Sequence, residues 1–378
     1  MKSSLQPAGP GLRGVRAAAV GLAWSAGMAT GLTAGLDWEP LPDFPLPPGV
    51  AGAFGGIDNG VLIVAGGSNF QPASGGDLWE APKLWRREVF VLREPGTNAA
   101  RWMAAGELPE PAGNGASAPS PCGLVCLGGE SGGSPSRQAF LLRWDGSALQ
   151  RQTLPDLPVP GTCGAVAVAG RTVYFLTGQT ATGLETADSR LWRLELPEDG
   201  ISFERSVWAA CPPLPGPGRA FAALVAQHNG HETALYAIGG RCAAKLPGEP
   251  AEPLREVFEY LPGKDSWRRR ADAPVAIMAA PVVPAGLSQI LVLGGDDGAL
   301  MTRTAELKSS HPGFPRRSFI YDTATDTWTE GAELPTNQVA SVTGVADGMA
   351  FVATGEVKPR HRTTACWRIT LPRPAQPD

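Results

Sequence analysis

The stretch VATGEVKPRHRT, residues 352–363, gathers Glu356, Lys358, Arg360, His361 and Arg362 into one short span. A carboxylate can take up a proton and give it back, so Glu356 is a candidate general acid–base. A guanidinium fork meets a planar carboxylate with two parallel hydrogen bonds, so Arg362 is a candidate clamp for an acidic substrate. The same run of charge could equally be a solvated loop. Which of the two it is depends on the elements that hold it.

Those elements are strands. The chain has 378 residues, of which 48 are Gly and 37 are Pro, yet 43% are hydrophobic and only 18% charged. Disordered chains lack that apolar content, so the Gly and Pro read as turns between many short strands. Few windows carry helical apolar periodicity, and almost no helix is expected. The formal charge of −4 and the lack of a basic stripe speak against a nucleic-acid partner. No apolar run reaches about 18 residues, so no membrane span is expected in the mature chain.

An apolar strand closed by Gly-Gly or Thr-Gly recurs six times, ending at Gly67, Gly129, Gly178, Gly240, Gly295 and Gly355. After five of these comes an aromatic-bearing strand: EVFVL, QAFLLRW, RLWRLEL, EVFEYLP and SFIYD. A Trp then precedes Leu-Pro or a variant, as in WMAAGELP and WTEGAELP, although LQRQTLP has lost its Trp. A period of about 50 residues with these marks resembles the kelch repeat, in which each unit is one four-stranded propeller blade. Six copies imply an all-β, six-bladed kelch-type propeller, a single domain over 36–378. The last copy has TACWRITL but no Trp-Leu-Pro segment after it, while WEPLP stands at Trp38. The N-terminal strand is therefore expected to complete the last blade.

In an up-and-down blade with strands A to D from the channel outward, the B–C loop opens on the same face as the link to the next blade. The residues just after the glycine pairs, Ser68, Glu130, Gln179, Arg241, Asp296 and Glu356, should ring the channel mouth. The links between blades bring Asn114, Arg219 and Asn337 to that face. Two B–C loops are long, SNFQPASGGDLWEAPKLW in blade one and TAELKSSHPGFPRR in blade five. Long loops on one face of a rigid scaffold suit a small-molecule pocket, and they also suit a protein-binding surface.

Two segments resemble the N-acetylneuraminate epimerase (sialic acid mutarotase) family. VAGGSNF, a long loop and LWRREVFVL look like that family's first blade. TGEVKPRHRT looks like its Gly-Glu-x-Lys-Pro-Gly-x-Arg-Thr segment. With the Glu–Arg blade last, the chain is similar to the cyclically permuted branch. The resemblance implies exchange between the α and β anomers of N-acetylneuraminate or a related acidic sugar. In that scheme Glu356 is the acid–base, Arg362 holds the carboxylate, and no cofactor or metal takes part. Asn69 could bond a sugar hydroxyl or cap a turn. Asn114, Asn337 and Arg219 are further candidate contacts, Arg219 alternatively as a rim ion pair. Arg360 stands where the family has Gly, a position where a side chain turns left-handed less cheaply.

Other readings stay open. A non-enzymatic kelch propeller binding a protein or glycan partner fits the same repeats. A copper radical oxidase would need Tyr, Cys and His ligands, and the four His show no ligand spacing. Cys122 and Cys126, about 13 Å apart along a strand, cannot bridge each other, and the six cysteines read as small buried apolar residues. Residues 1–35 carry Lys2, Arg13 and Arg16 before a small, mildly apolar run with no acid. That is the layout of a secretory signal, which implies a periplasmic or secreted protein. A disordered extension would leave the protein cytoplasmic.

Overall fold

The computed structural model describes residues 36–73, 76–246 and 248–371. The reading of residues 1–35 as a signal or extension lies outside them. Six four-stranded antiparallel sheets form a six-bladed propeller. Blade one, for example, runs through Phe54–Asp58, Val61–Ala65, Glu88–Arg93 and Arg101–Glu107 from the channel outward. Helix is confined to one α-helical turn, Thr304–Leu307, and short 3-10 turns among the described residues.

The second strand of each blade is buried on both faces, as in VLIVA at 61–65 and GLVCL at 123–127. That explains why the strands before the glycine pairs read as unbroken apolar runs rather than alternations. Core clusters form between neighbouring blades, so each sheet is one half of two interfaces. Four tryptophans in or just before the outer strands staple these interfaces. Trp102, Trp208, Trp267 and Trp328 each donate Nε1–H to a backbone carbonyl of the preceding blade's outer edge: Pro42, Pro155, Pro212 and Ala271, at 2.8–3.0 Å.

The ring closes with strands from both ends of the chain. Asp37–Leu41 pairs with Cys366–Thr370, from Asp37 opposite Thr370 to Leu41 opposite Cys366, and completes blade six. The segment after it stays on the seam: Phe44 N–H donates to Thr364 O, and Gly355 N–H donates to Val50 O.

One residue per blade, just ahead of the innermost strand, forms a second closure. Gly52, Asn114, Cys163, Phe221, Ala279 and Ala340 all have φ between 50° and 66°. Each of these N–H groups donates to the carbonyl of the matching residue in the preceding blade at 2.7–3.0 Å, and Gly52 donates to Ala340. The result is a closed circuit of backbone hydrogen bonds around the channel. Left-handed backbone costs a non-glycine residue about 1 kcal/mol, and here the circuit satisfies groups that would otherwise be stranded.

Candidate mouth site

The residue before each circuit position forms a backbone bridge to the residue after the glycine pair. The six pairs are Ala51 with Ser68, Gly113 with Glu130, Thr162 with Gln179, Ala220 with Arg241, Met278 with Asp296 and Val339 with Glu356. The six polar positions expected at the mouth therefore occupy equivalent places, one per blade. The channel inside them holds about 350 Å³ and is lined by the small residues of the innermost strands and by all six circuit residues. A groove of about 700 Å³ opens between blades five and six, lined by residues including Asp296, His311, Asn337 and Lys358.

VATGEVKPRHRT is a small hairpin in which Glu356–Lys358 pairs with His361–Arg362 and Glu356 faces Arg362 in register. The carboxylate and the guanidinium form an ion pair, with the Arg362 side chain 5% exposed and that of Glu356 20%. The other carboxylate oxygen, Oε1, accepts the Arg360 N–H at 2.9 Å. Arg362 Nε donates to Ser68 O at 3.0 Å, which ties blade six to blade one. Its Nη2 forms no hydrogen bond among the described residues, so part of the fork stays free. Burial works against the charge on Arg362, and Glu356 counters it.

Arg360 does adopt the left-handed conformation of a glycine, with φ of 69°. Its side chain leaves the mouth and lies over Phe70, 4.0 Å from the ring centroid, with Trp79 at 5.6 Å. It donates to the carbonyls of Leu78, at 3.2 Å, and Ala81. Lys358 lines the groove between blades five and six and donates to Ser309 O at 2.7 Å. The extra cations of this hairpin thus strap it to the long loops of blades one and five. His361 keeps its Nδ1 3.0 Å from Pro359 O.

The remaining expected contacts separate into two groups. Asn69 is fully buried beside Ser68 and donates to Gly49 O at 3.1 Å, while its Oδ1 is buried without a partner. Asn114 donates to Glu130 Oε1 at 2.7 Å, and Lys83 Nζ stands 3.9 Å from that same oxygen. Asn337 is committed elsewhere. Its Oδ1 accepts Gly295 N–H at 3.1 Å, and its Nδ2 donates to Gly295 O at 2.9 Å and to Pro315 O. Arg219 is 1% exposed and paired with Glu256 at 2.7 Å, with a further bond to Gly239 O at 3.2 Å. It is bonded within blade four and makes no contact with Glu356.

Two neighbours of the site were not singled out in the sequence. Lys83, from the long loop of blade one, lies over Trp85 at 3.9 Å and feels the fields of Glu130, Arg362 and Glu356. Burial pulls its ammonium below the ordinary range, and Glu130 resists that shift. His311, from the long loop of blade five, is 5% exposed, and its Nδ1 accepts Gly313 N–H at 3.1 Å. Burial pulls its imidazole down and pushes the Asp296 carboxyl up. The signal available for both was their place in the two long loops.

Residues 15–150 match the family model described as N-acetylneuraminate epimerase. Curated relatives of that name agree with it. The Yersinia pestis (strain Pestoides F) protein is 34% identical over 128 residues, covering 30% of this chain and 31% of the relative. The Vibrio cholerae protein is 36% identical over 127 residues, covering 30% and 32%. The matched part of the chain thus spans about a third of the length of those relatives. It holds Asn69 and Asn114 but neither Glu356 nor Arg362. The solved structure of YjhT superposes with a TM-score of 0.62 at 16% identity, over 88% of this chain and 97% of that one. The chain is a six-bladed β-propeller whose residues 15–150 carry the sequence pattern of the N-acetylneuraminate epimerase family.

Proposed function

We propose that this protein is an isomerase that interconverts the α and β anomers of N-acetylneuraminate, or of a related acidic sugar, by acid–base ring opening. The observation that carries this reading is the Glu356–Arg362 pair, held on a hairpin at the mouth of a rigid channel. The family pattern in the first third of the chain supports the choice of sugar.

In this reading Glu356 takes the proton of the anomeric hydroxyl. The oxygen's electrons form the ketone carbonyl as the bond from the anomeric carbon to the ring oxygen breaks, and the protonated Glu356 returns its proton, directly or through water, to the ring oxygen. Rotation about the bond to the carbonyl carbon, followed by the reverse steps, closes the other anomer. Arg362 holds Glu356 with one nitrogen, which leaves Nη2 for the substrate's carboxylate. The reaction proceeds unaided in water, so positioning and proton transfer are enough to speed it.

Saturation-transfer NMR on freshly released α-anomer tests the proposal. The wild-type protein should raise the exchange rate above that of buffer. Glu356→Gln should remove most of the gain, since a positioned acid–base typically contributes about 100- to 10,000-fold. A wild-type rate equal to that of buffer would refute the function, and an unaffected variant would take Glu356 out of the mechanism. The same reading includes residues 1–35 as a secretory signal and the mature protein as periplasmic or secreted. Amino-terminal sequencing of protein purified from its native host should then start beyond residue 1, and an intact Met1 would overturn that part.

A further inference from the structure

Arg362 reaches the mouth with its charge already answered by Glu356. Arg241 does not. It occupies in blade four the place that Glu356 occupies in blade six, directly after a glycine pair and bridged to the residue before the circuit position. Its guanidinium lies 4.8 Å from the ring centroid of Phe221, the circuit residue of its own blade and part of the channel wall. Among the described residues it forms no ion pair and its side chain donates no hydrogen bond. Its Nε is buried without an acceptor.

A buried cationic N–H without a partner is expensive, and such groups call for an explanation. The titratable neighbours do not supply one. Asp296, at the matching place in blade five, is near enough for the two charges to feel each other, yet it forms neither an ion pair nor a hydrogen bond with Arg241, and burial pushes its carboxyl up. The Cys163 thiol is buried and pushed up to about 12, so it stays un-ionised at neutral pH. The aromatic face of Phe221 stabilises a cation but accepts no strong hydrogen bond. What is missing is an acceptor, and the residue stands at the mouth position of its blade, directly after the glycine pair.

We infer that Arg241 is a second, anion-selecting contact of the mouth, meeting beside Arg362 Nη2 the carboxylate of a sugar acid whose anomeric centre lies against Glu356. The inference rests on the proposed function for the identity of the ligand. It adds a division of labour. The Glu356–Arg362 pair carries no net charge, so a cation outside any ion pair adds to the preference for an acid over its neutral ester. Arg241 supplies that cation with the planar fork a carboxylate requires.

The test compares N-acetylneuraminate with its methyl ester by titration calorimetry and by NMR exchange, using wild type, Arg241→Gln and Arg241→Lys. Wild type should favour the acid. Arg241→Gln should weaken acid binding about 10- to 100-fold through loss of one charge-assisted contact, leave ester binding unchanged, and raise KM with little change in kcat. Arg241→Lys keeps the charge without the fork and should retain part of the preference. It also covers the case in which Arg241→Gln fails to fold, as judged by circular dichroism. An acid preference undiminished in Arg241→Gln, or in Arg241→Lys where the Gln variant does not fold, would overturn the inference and leave the proposed function intact. Equal losses on acid and ester would mark Arg241 as structural and overturn it as well. Wild type that neither binds nor exchanges the sugar would overturn both.

Discussion

Arg360 shows how one residue can keep a backbone shape while changing what the shape is for. The family pattern has Gly there, and the left-handed turn survives with Arg in its place. The strain of about 1 kcal/mol is offset by stacking on Phe70 and by bonds to two carbonyls of the blade-one loop. Had the side chain turned inward, it would have competed for an anionic substrate. Instead its backbone N–H steadies Glu356 and its head group leaves the mouth. Arg360→Gly should therefore relieve the turn yet lose the strap. The expected result is a net cost of ~1 kcal/mol in urea denaturation, together with faster hydrogen exchange in residues 78–85. A more stable variant with unchanged exchange would show that the strap contributes nothing.

At the scale of elements, the site depends on two hairpins and one borrowed strand. Ser68–Phe70 pairs with Lys83–Trp85, and this blade-one hairpin meets the blade-six hairpin through the Arg362 bond to Ser68. Both stand on the seam closed by Asp37–Leu41. Removing residues 1–41 would strip the outer strand from Cys366–Thr370, expose its edge, and lose the contacts of buried Leu41. Burial of one such side chain is worth about 1.5–3 kcal/mol before the strand's hydrogen bonds are counted. The truncated chain should melt at least several degrees lower and form aggregates on size-exclusion chromatography. A monomer with unchanged melting would refute the seam's importance. This strand was legible in the sequence because WEPLP supplies the segment that the last repeat lacks.

For the whole molecule, the repeat marks determined the blade count, the strand order and the closure. Apolar runs, glycine pairs and tryptophans are local signals repeated in register, and sixfold agreement leaves little freedom in how they stack. The same logic placed Ser68, Glu130, Gln179, Arg241, Asp296 and Glu356 around one mouth, which the matching backbone bridges bear out. Partner choice was not legible, because it is made between strands and loops far apart in sequence. Only the folded chain pairs Arg219 with Glu256 and pins Asn337 to Gly295. It also brings Lys83 beside Glu130 and leaves Arg241 without a partner among the described residues. The hydrogen-bonded circuit at the channel was equally hidden, since four of its six residues are types that seldom turn left-handed. Sequence by itself determined the scaffold, because period and residue type act locally. Tertiary structure decided which charges are spent on the fold and which remain free at the mouth, because burial and long-range pairing set the cost of leaving each one alone.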